Sequence, residues 1–264
     1  MALISNRSKA VLAAALLAGA AFASPLFVFA QGQMAAQDAA AQDAAATSAK
    51  PVKGLKVLSA AEVDIKTILP APPEAGSVQQ TAELAELRDI QRLRTAARLD
   101  QAHWDDAHED ATAFAAAIGP KFDLKTLPQT AKLLELVQND QEVLATEAKA
   151  YFHRARPFVV DDSLVGCDRG KKFYTSYPSG HATMAYTLGP VLSALMPQKS
   201  EEIEKRAEDY VFSRLVCEVH YRSDLRAGRI LGSWAAIQLL RAPSLQPQIA
   251  AARAELVAAG LTTP

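Results

Sequence analysis

In Ser213-Arg214-Leu215-Val216-Cys217-Glu218-Val219-His220-Tyr221-Arg222-Ser223-Asp224, a histidine follows an arginine by six residues and precedes an aspartate by four. Those residue types describe an activated nucleophile. If Asp224 accepts a hydrogen bond from one ring nitrogen of His220, the tautomer is fixed and the other nitrogen is free to attack. Arg214 would hold the anion under attack. Alone the cluster is weak evidence, because a His with an Asp four residues on is more often a surface helix pair.

Two further clusters change that weight. Lys149 and Arg156 stand seven residues apart in Lys149-Ala150-Tyr151-Phe152-His153-Arg154-Ala155-Arg156-Pro157. On a helix this spacing puts both cations on one face, two turns apart. Tyr177-Pro178-Ser179-Gly180-His181 opens an apolar segment, and a helix starting there directs free backbone N–H groups at an anion. Gly180 permits close approach to the main chain, Ser179 adds a hydroxyl and His181 adds a second titrating group. Three cations, an amide-rich helix start and two imidazoles suit a phosphoryl group in transfer. Its charge spreads over three oxygens while one atom attacks and another leaves.

The ordered pattern Lys-x6-Arg-Pro, Pro-Ser-Gly-His and Ser-Arg-x5-His-x3-Asp resembles that of the acid phosphatase and vanadium haloperoxidase superfamily, which includes the phosphatidic acid phosphatase type 2 enzymes. Its fixed positions fall on Lys149, Arg156, Pro157, Pro178, Ser179, Gly180, His181, Ser213, Arg214, His220 and Asp224. The resemblance is firm from Lys149 to Gly232 and looser in the helical region before. Within the superfamily, Ser-Tyr-Pro-Ser-Gly-His and Ser-Arg-Leu-Val-Cys-x-Val-His look most similar to the soluble bacterial class A non-specific acid phosphatases.

The resemblance implies an all-α fold, a compact helical domain, and hydrolysis of a broad range of phosphate monoesters through a phosphohistidine. In that reading His220 attacks phosphorus, oriented by Asp224. Lys149, Arg156, Arg214, Ser179 and the Gly180 amide hold the oxygens, and His181 protonates the leaving group. Neither cofactor nor metal is implied, and orthophosphate or vanadate would inhibit. A vanadium-dependent haloperoxidase is the nearest alternative, although those proteins are generally much longer. A lipid phosphate phosphatase would need several apolar spans of about 20 residues, and none follows Ala30. A non-catalytic phosphate-binding protein would have no use for a nucleophile and a proton donor.

The elements that must position these residues read as helices. The chain has 264 residues, half of them hydrophobic, enough for one substantial core. Residues 1–30 read as a signal peptide: Arg7 and Lys9, an Ala/Leu-rich run, then Val28-Phe29-Ala30 before a cut, with an uncleaved anchor as the alternative. Residues 31–53, rich in Ala, Gln and Asp, read as a flexible tether, leaving 54–264 as the domain. This implies a periplasmic protein with no membrane association after cleavage. Losing Arg7 and Lys9 takes the formal charge from −1 to −3, which argues against a nucleic-acid partner. A homo-oligomer is left open.

Helical spacing runs from Thr81 to Ile118, and the charge-rich stretch Asp100–Asp110 invites a break. His103 and His108 sit there among Asp105, Asp106, Glu109 and Asp110. Five residues apart, the histidines are poorly spaced to share a metal on a helix, and the carboxylates read as a solvated run. A helix from Pro128 should reach Lys149 or beyond and end or kink at Pro157. Val159 to Thr175 reads as a loop bordering the pocket. Gly180 to Met196 carries no charge apart from His181 and reads as a buried helix. Ser200 should cap the next helix. Whether that helix breaks before His220, or Arg214 reaches round it, stays open. Small residues from Ala227 through Gly228, Gly232 and Ala235 should permit close packing, and an amphipathic stretch from Ile249 to Leu256 follows. Cys167 and Cys217 read as a disulfide tying the nucleophile segment to the loop, with two buried thiols as the alternative. No segment shows a strand pattern.

Overall fold

The apolar run after Ser179 becomes the buried axis of the structure, a computed structural model that describes residues 54–167, 170 and 172–264. The expected signal peptide (1–30) and tether (31–53) lie outside the described residues. In chain order the α-helices are α1 (Ile65–Ile68), α2 (Val78–Leu93), α3 (Ala96–Ala107), α4 (Ala115–Ile118), α5 (Pro128–Phe152), α6 (Pro157–Val160), α7 (Gly180–Leu195), α8 (Ser200–Val216), α9 (Arg222–Arg241) and α10 (Gln246–Ala258). Four short 3-10 segments join them, and no β-strand occurs among the described residues.

α7 packs against α5, α8 and α9, and α10 closes over α5. Leu188, Leu192 and Leu195 on α7 are fully buried, each worth about 1.5–3 kcal/mol of hydrophobic stabilisation. Close packing against α9 depends on glycine. A Cβ at Gly228 would lie 2.9 Å from the Ser179 carbonyl oxygen, and one at Gly232 would lie 2.5 Å from that of Thr183. The small-residue stretch therefore brings α9 almost onto the backbone of the first turns of α7.

Several boundaries differ from the sequence expectation. The Thr81–Ile118 region breaks at Thr95, whose side chain caps the Arg98 amide at 3.2 Å, and again after Ala107, while Asp100 to Ala107 stays helical. Helix α5 stops at Phe152 because His153 adopts a left-handed conformation (φ 45°). Pro157 then starts α6 at its first turn, where its missing N–H costs nothing. Lys149 and Arg156 therefore do not share a helix face: Lys149 lies in the last turn of α5 and Arg156 is the N-cap of α6. Ser200 is the first residue of α8, Lys199 takes the cap position, and no side chain caps the end.

Helix α8 ends at Val216 and Glu218 is left-handed (φ 56°), so the chain turns before His220. That resolves the open question about Arg214 and His220, which lie on either side of the reversal. Cys167 and Cys217 form a disulfide, and the Cys167 amide donates to the Cys217 carbonyl at 3.1 Å. The buried Glu218 carboxylate accepts from the Val165 amide at 2.6 Å and the Gln91 side chain at 3.0 Å, and it pairs with Arg94. The loop before Cys167 is thus pinned to the turn that leads to His220 at two adjacent points.

Candidate active site

Side chains from six parts of the chain meet over the N-terminus of α7. Lys149 comes from the end of α5 and Arg214 from the end of α8, places where the helix dipole favours cations. Arg156 comes from the N-cap of α6, His220 from the α8–α9 turn, Asp224 from the first turn of α9, and Asp106 with Glu109 from the end of α3 and the turn after it.

His220 is buried. Its Nε2 lies 3.4 Å from Arg156 Nη1 and its Nδ1 lies 3.5 Å from Asp224 Oδ2. A guanidinium can only donate, so Nε2 is the bare nitrogen and Nδ1 carries the hydrogen toward Asp224. At 3.5 Å that contact is longer than a normal hydrogen bond, and Nδ1 has no closer hydrogen-bond partner among the described residues. Burial, reinforced by Arg156, Arg214 and Lys149, holds the imidazole well below its usual 6.5.

Asp224 is held from three further sides. Arg154 Nη1 donates to Oδ1 at 2.6 Å, while the Ser176 hydroxyl at 2.6 Å and the Tyr221 amide at 2.8 Å donate to Oδ2. Burial pushes its carboxyl up to about 6 against the pull of Arg154 and those donors. Arg154 is itself fixed by Ser223 at 2.7 Å and Glu83 at 3.2 Å, with its guanidinium 4.0 Å from the Tyr221 ring centre.

At the start of α7, Ser179 is the N-cap. Its hydroxyl accepts from the Ala182 amide at 3.3 Å, and its own amide donates to the Asp224 carbonyl at 3.1 Å. The sequence assigned the Ser179 hydroxyl to a ligand; here it also closes the helix end. Gly180 carries no side chain where a Cβ would stand 3.0 Å from Lys149 Nζ and 2.9 Å from Glu109 Oε1. Burial lowers Lys149 to about 8, with Glu109 opposing and Arg156 assisting. Arg156 is braced by the carbonyls of Lys172 and Val219, each at 3.0 Å. Arg214 is buried, its Nη1 pairs with Asp106 Oδ1 at 2.6 Å, and its Nε has no hydrogen-bond partner among the described residues.

His181 places Nε2 3.2 Å from the Asp106 carbonyl oxygen and Nδ1 3.2 Å from Glu109 Oε1. Burial and then Arg214 lower it below 6.5, and Glu109 offsets part of that shift.

All eight expected site residues, Lys149, Arg156, Ser179, Gly180, His181, Arg214, His220 and Asp224, thus share one locus. Arg154, Ser176, Asp106 and Glu109 were not anticipated. The acidic run after Asp100 is not a solvated face: Asp105 is fully buried and pairs with Arg206 and Ser213, Asp106 meets Arg214, and Glu109 meets His181. His103 is exposed, and His108 stacks on Trp104.

The PAP2 superfamily matches this chain over residues 136–246, which include every one of the eight. A non-specific acid phosphatase of Providencia stuartii is 34% identical over 201 residues, covering 73% of this chain and 81% of that protein. A non-specific acid phosphatase of Salmonella typhi is 31% identical over 171 residues, covering 58% of this chain and 66% of that protein. Among solved structures, a bacterial vanadium-dependent iodoperoxidase superposes with a TM-score of 0.46 at 18% identity, covering 67% of this chain and 53% of that one.

Proposed function

The chain belongs to the PAP2 superfamily and, within it, to the non-specific acid phosphatases, and from that premise we propose that it hydrolyses phosphate monoesters through a phosphohistidine on His220. The observation that carries this reading is the bare Nε2 of His220 facing the Arg156 guanidinium at 3.4 Å, with Arg214 and Lys149 acting on the same imidazole. A nitrogen lone pair inside a ring of cations is placed to meet an anionic phosphorus.

In the first step Nε2 forms a bond to phosphorus as the ester P–O bond breaks, and His181 gives its proton to the departing oxygen. In the second, water attacks phosphorus, His181 takes a proton from it, and the P–N bond breaks with its electron pair returning to Nε2. Asp224 steadies the positive charge that the ring carries while phosphorylated. Lys149, Arg156, Arg214 and the α7 amides neutralise the equatorial oxygens, so turnover needs no added metal. Each group given a role here acts on the phosphoryl group or the departing oxygen and none on the rest of the alcohol, which supports a broad range of monoesters. The basic and apolar pattern of residues 1–30, with the disulfide between Cys167 and Cys217, supports delivery to the periplasm.

Hydrolysis of p-nitrophenyl phosphate in the presence of a chelator tests this directly. The wild type should turn over, and His220→Ala should lose about a thousandfold or more of kcat. Retention of most of the rate by His220→Ala would remove the nucleophile assignment.

A further inference from the structure

Glu109 faces His181 and Lys149, whereas Asp224 faces His220 and Asp106 pairs with Arg214. Its side chain is 47% exposed, yet Oε1 lies 3.2 Å from His181 Nδ1 and 2.9 Å from where a Gly180 Cβ would stand, beside Lys149 Nζ. Its oxygen therefore sits over the glycine at the start of α7, among the groups that would receive a phosphoryl oxygen.

Which nitrogen of His181 it touches matters. The other, Nε2, faces the Asp106 carbonyl, which can only accept, so Nε2 keeps its hydrogen in either protonation state. Nδ1 is consequently the nitrogen that gains and loses the proton, and Glu109 stands against it. A substrate's leaving oxygen needs that same position.

We propose that the Glu109 carboxylate is a built-in competitor of the substrate's phosphoryl group, occupying the anion site and swinging out when phosphate enters, so that it sets the enzyme's affinity for phosphate and favours product release. The inference rests on the phosphatase reading of this site.

The surroundings fit a side chain that moves while its backbone stays. The Glu109 carbonyl accepts from Gln138 Nε2 at 2.7 Å, which anchors the turn, and half of the side chain already faces water. The α3 end does not depend on it, since Asp106 pairs with Arg214 and Asp105 with Arg206. Although burial acts to raise it, the charge and hydrogen bond of His181, with Lys149 and Arg214, hold this carboxyl at about 2, so it competes as an anion throughout the acid range. A phosphate group, with more charge and more acceptor oxygens, displaces it; a carboxylate returning to the pocket helps expel the product.

Glu109→Gln keeps the shape and removes the charge. Titration calorimetry with inorganic phosphate should show binding about five- to tenfold tighter than in the wild type, and KM for p-nitrophenyl phosphate should fall with it. Glu109→Asp, which draws the carboxylate back by one methylene, should shift both in the same direction by less. Phosphate binding that is unchanged or weaker in Glu109→Gln overturns the proposal, as does a loss confined to kcat, which would make Glu109 a positioning residue for His181. Calorimetry needs no turnover: a protein that binds phosphate as expected but never hydrolyses the ester would sink the phosphatase reading and leave the competition standing.

Discussion

In the proposed mechanism His220 and His181 are needed in opposite protonation states, and the surroundings of both shift them downward. Burial, then Arg156, Arg214 and Lys149, holds His220 well below 6.5, whereas in His181 the effects of burial and Arg214 are partly offset by Glu109. Attack requires neutral His220, so activity is lost as pH falls through that pKa. Proton donation requires charged His181, so activity is lost as pH rises through its pKa. The two limbs enclose a window on the acid side, and discharge of Lys149, whose pKa is about 8, removes a phosphate-binding cation above it. For alkyl phosphates, whose leaving groups need a proton, kcat/KM should peak below pH 6.5 and fall continuously through pH 8. A profile still rising above pH 8 would contradict these assignments. Arg154 and Asp106 escaped sequence reasoning at this scale because each gains meaning from a partner far along the chain: Arg154 from Asp224 and Asp106 from Arg214. Nothing in local spacing separates Arg154 from Arg156 next to it. A run of carboxylates reads as solvated until the helix carrying it is docked.

At the scale of elements, the readable helices were those whose own composition decides their environment. α7 carries no charged residue beyond His181 and is buried, and α9 shows its small residues on the face it presents to α7. Boundaries set by a single backbone conformation were not readable. His153 is not glycine, yet its left-handed turn ends α5, and Pro157 starts a helix where it was expected to stop one. The α7–α9 contact gives a test of packing. Gly232→Ala should gain about 1 kcal/mol of helix propensity but places a methyl 2.5 Å from the Thr183 carbonyl oxygen and 3.0 Å from the Tyr186 carbonyl carbon, both backbone. The clash should win, with a net loss of about 1–3 kcal/mol in denaturant unfolding. Gly189→Ala meets only side chains at 3.8 Å and should be neutral or stabilising. Equal midpoints for the two variants would show that the helices can separate without cost.

Over the whole molecule, a chain with formal charge −1 gathers Lys149, Arg156 and Arg214 around one imidazole, so any attraction for phosphate is local and owes little to net charge. Its parts are distant in sequence, and the disulfide across a separation of 50 residues holds the turn before His220 against the bordering loop; closing such a loop is worth about 4 kcal/mol on the chain-entropy view. No helix of the described residues is long and apolar enough to cross a membrane. The ordered motifs made the site legible as a set, while its arrangement required the fold. The central claim is that this assembly passes the phosphoryl group through His220. Rapid-quench labelling with radiolabelled p-nitrophenyl phosphate addresses it most directly, using His181→Ala, in which a leaving group that needs no proton still departs but water lacks its base. The account predicts acid-labile phosphate accumulating on His220, and none in a protein that also carries His220→Ala. Turnover with no covalent label, or a label on any other residue, would contradict it.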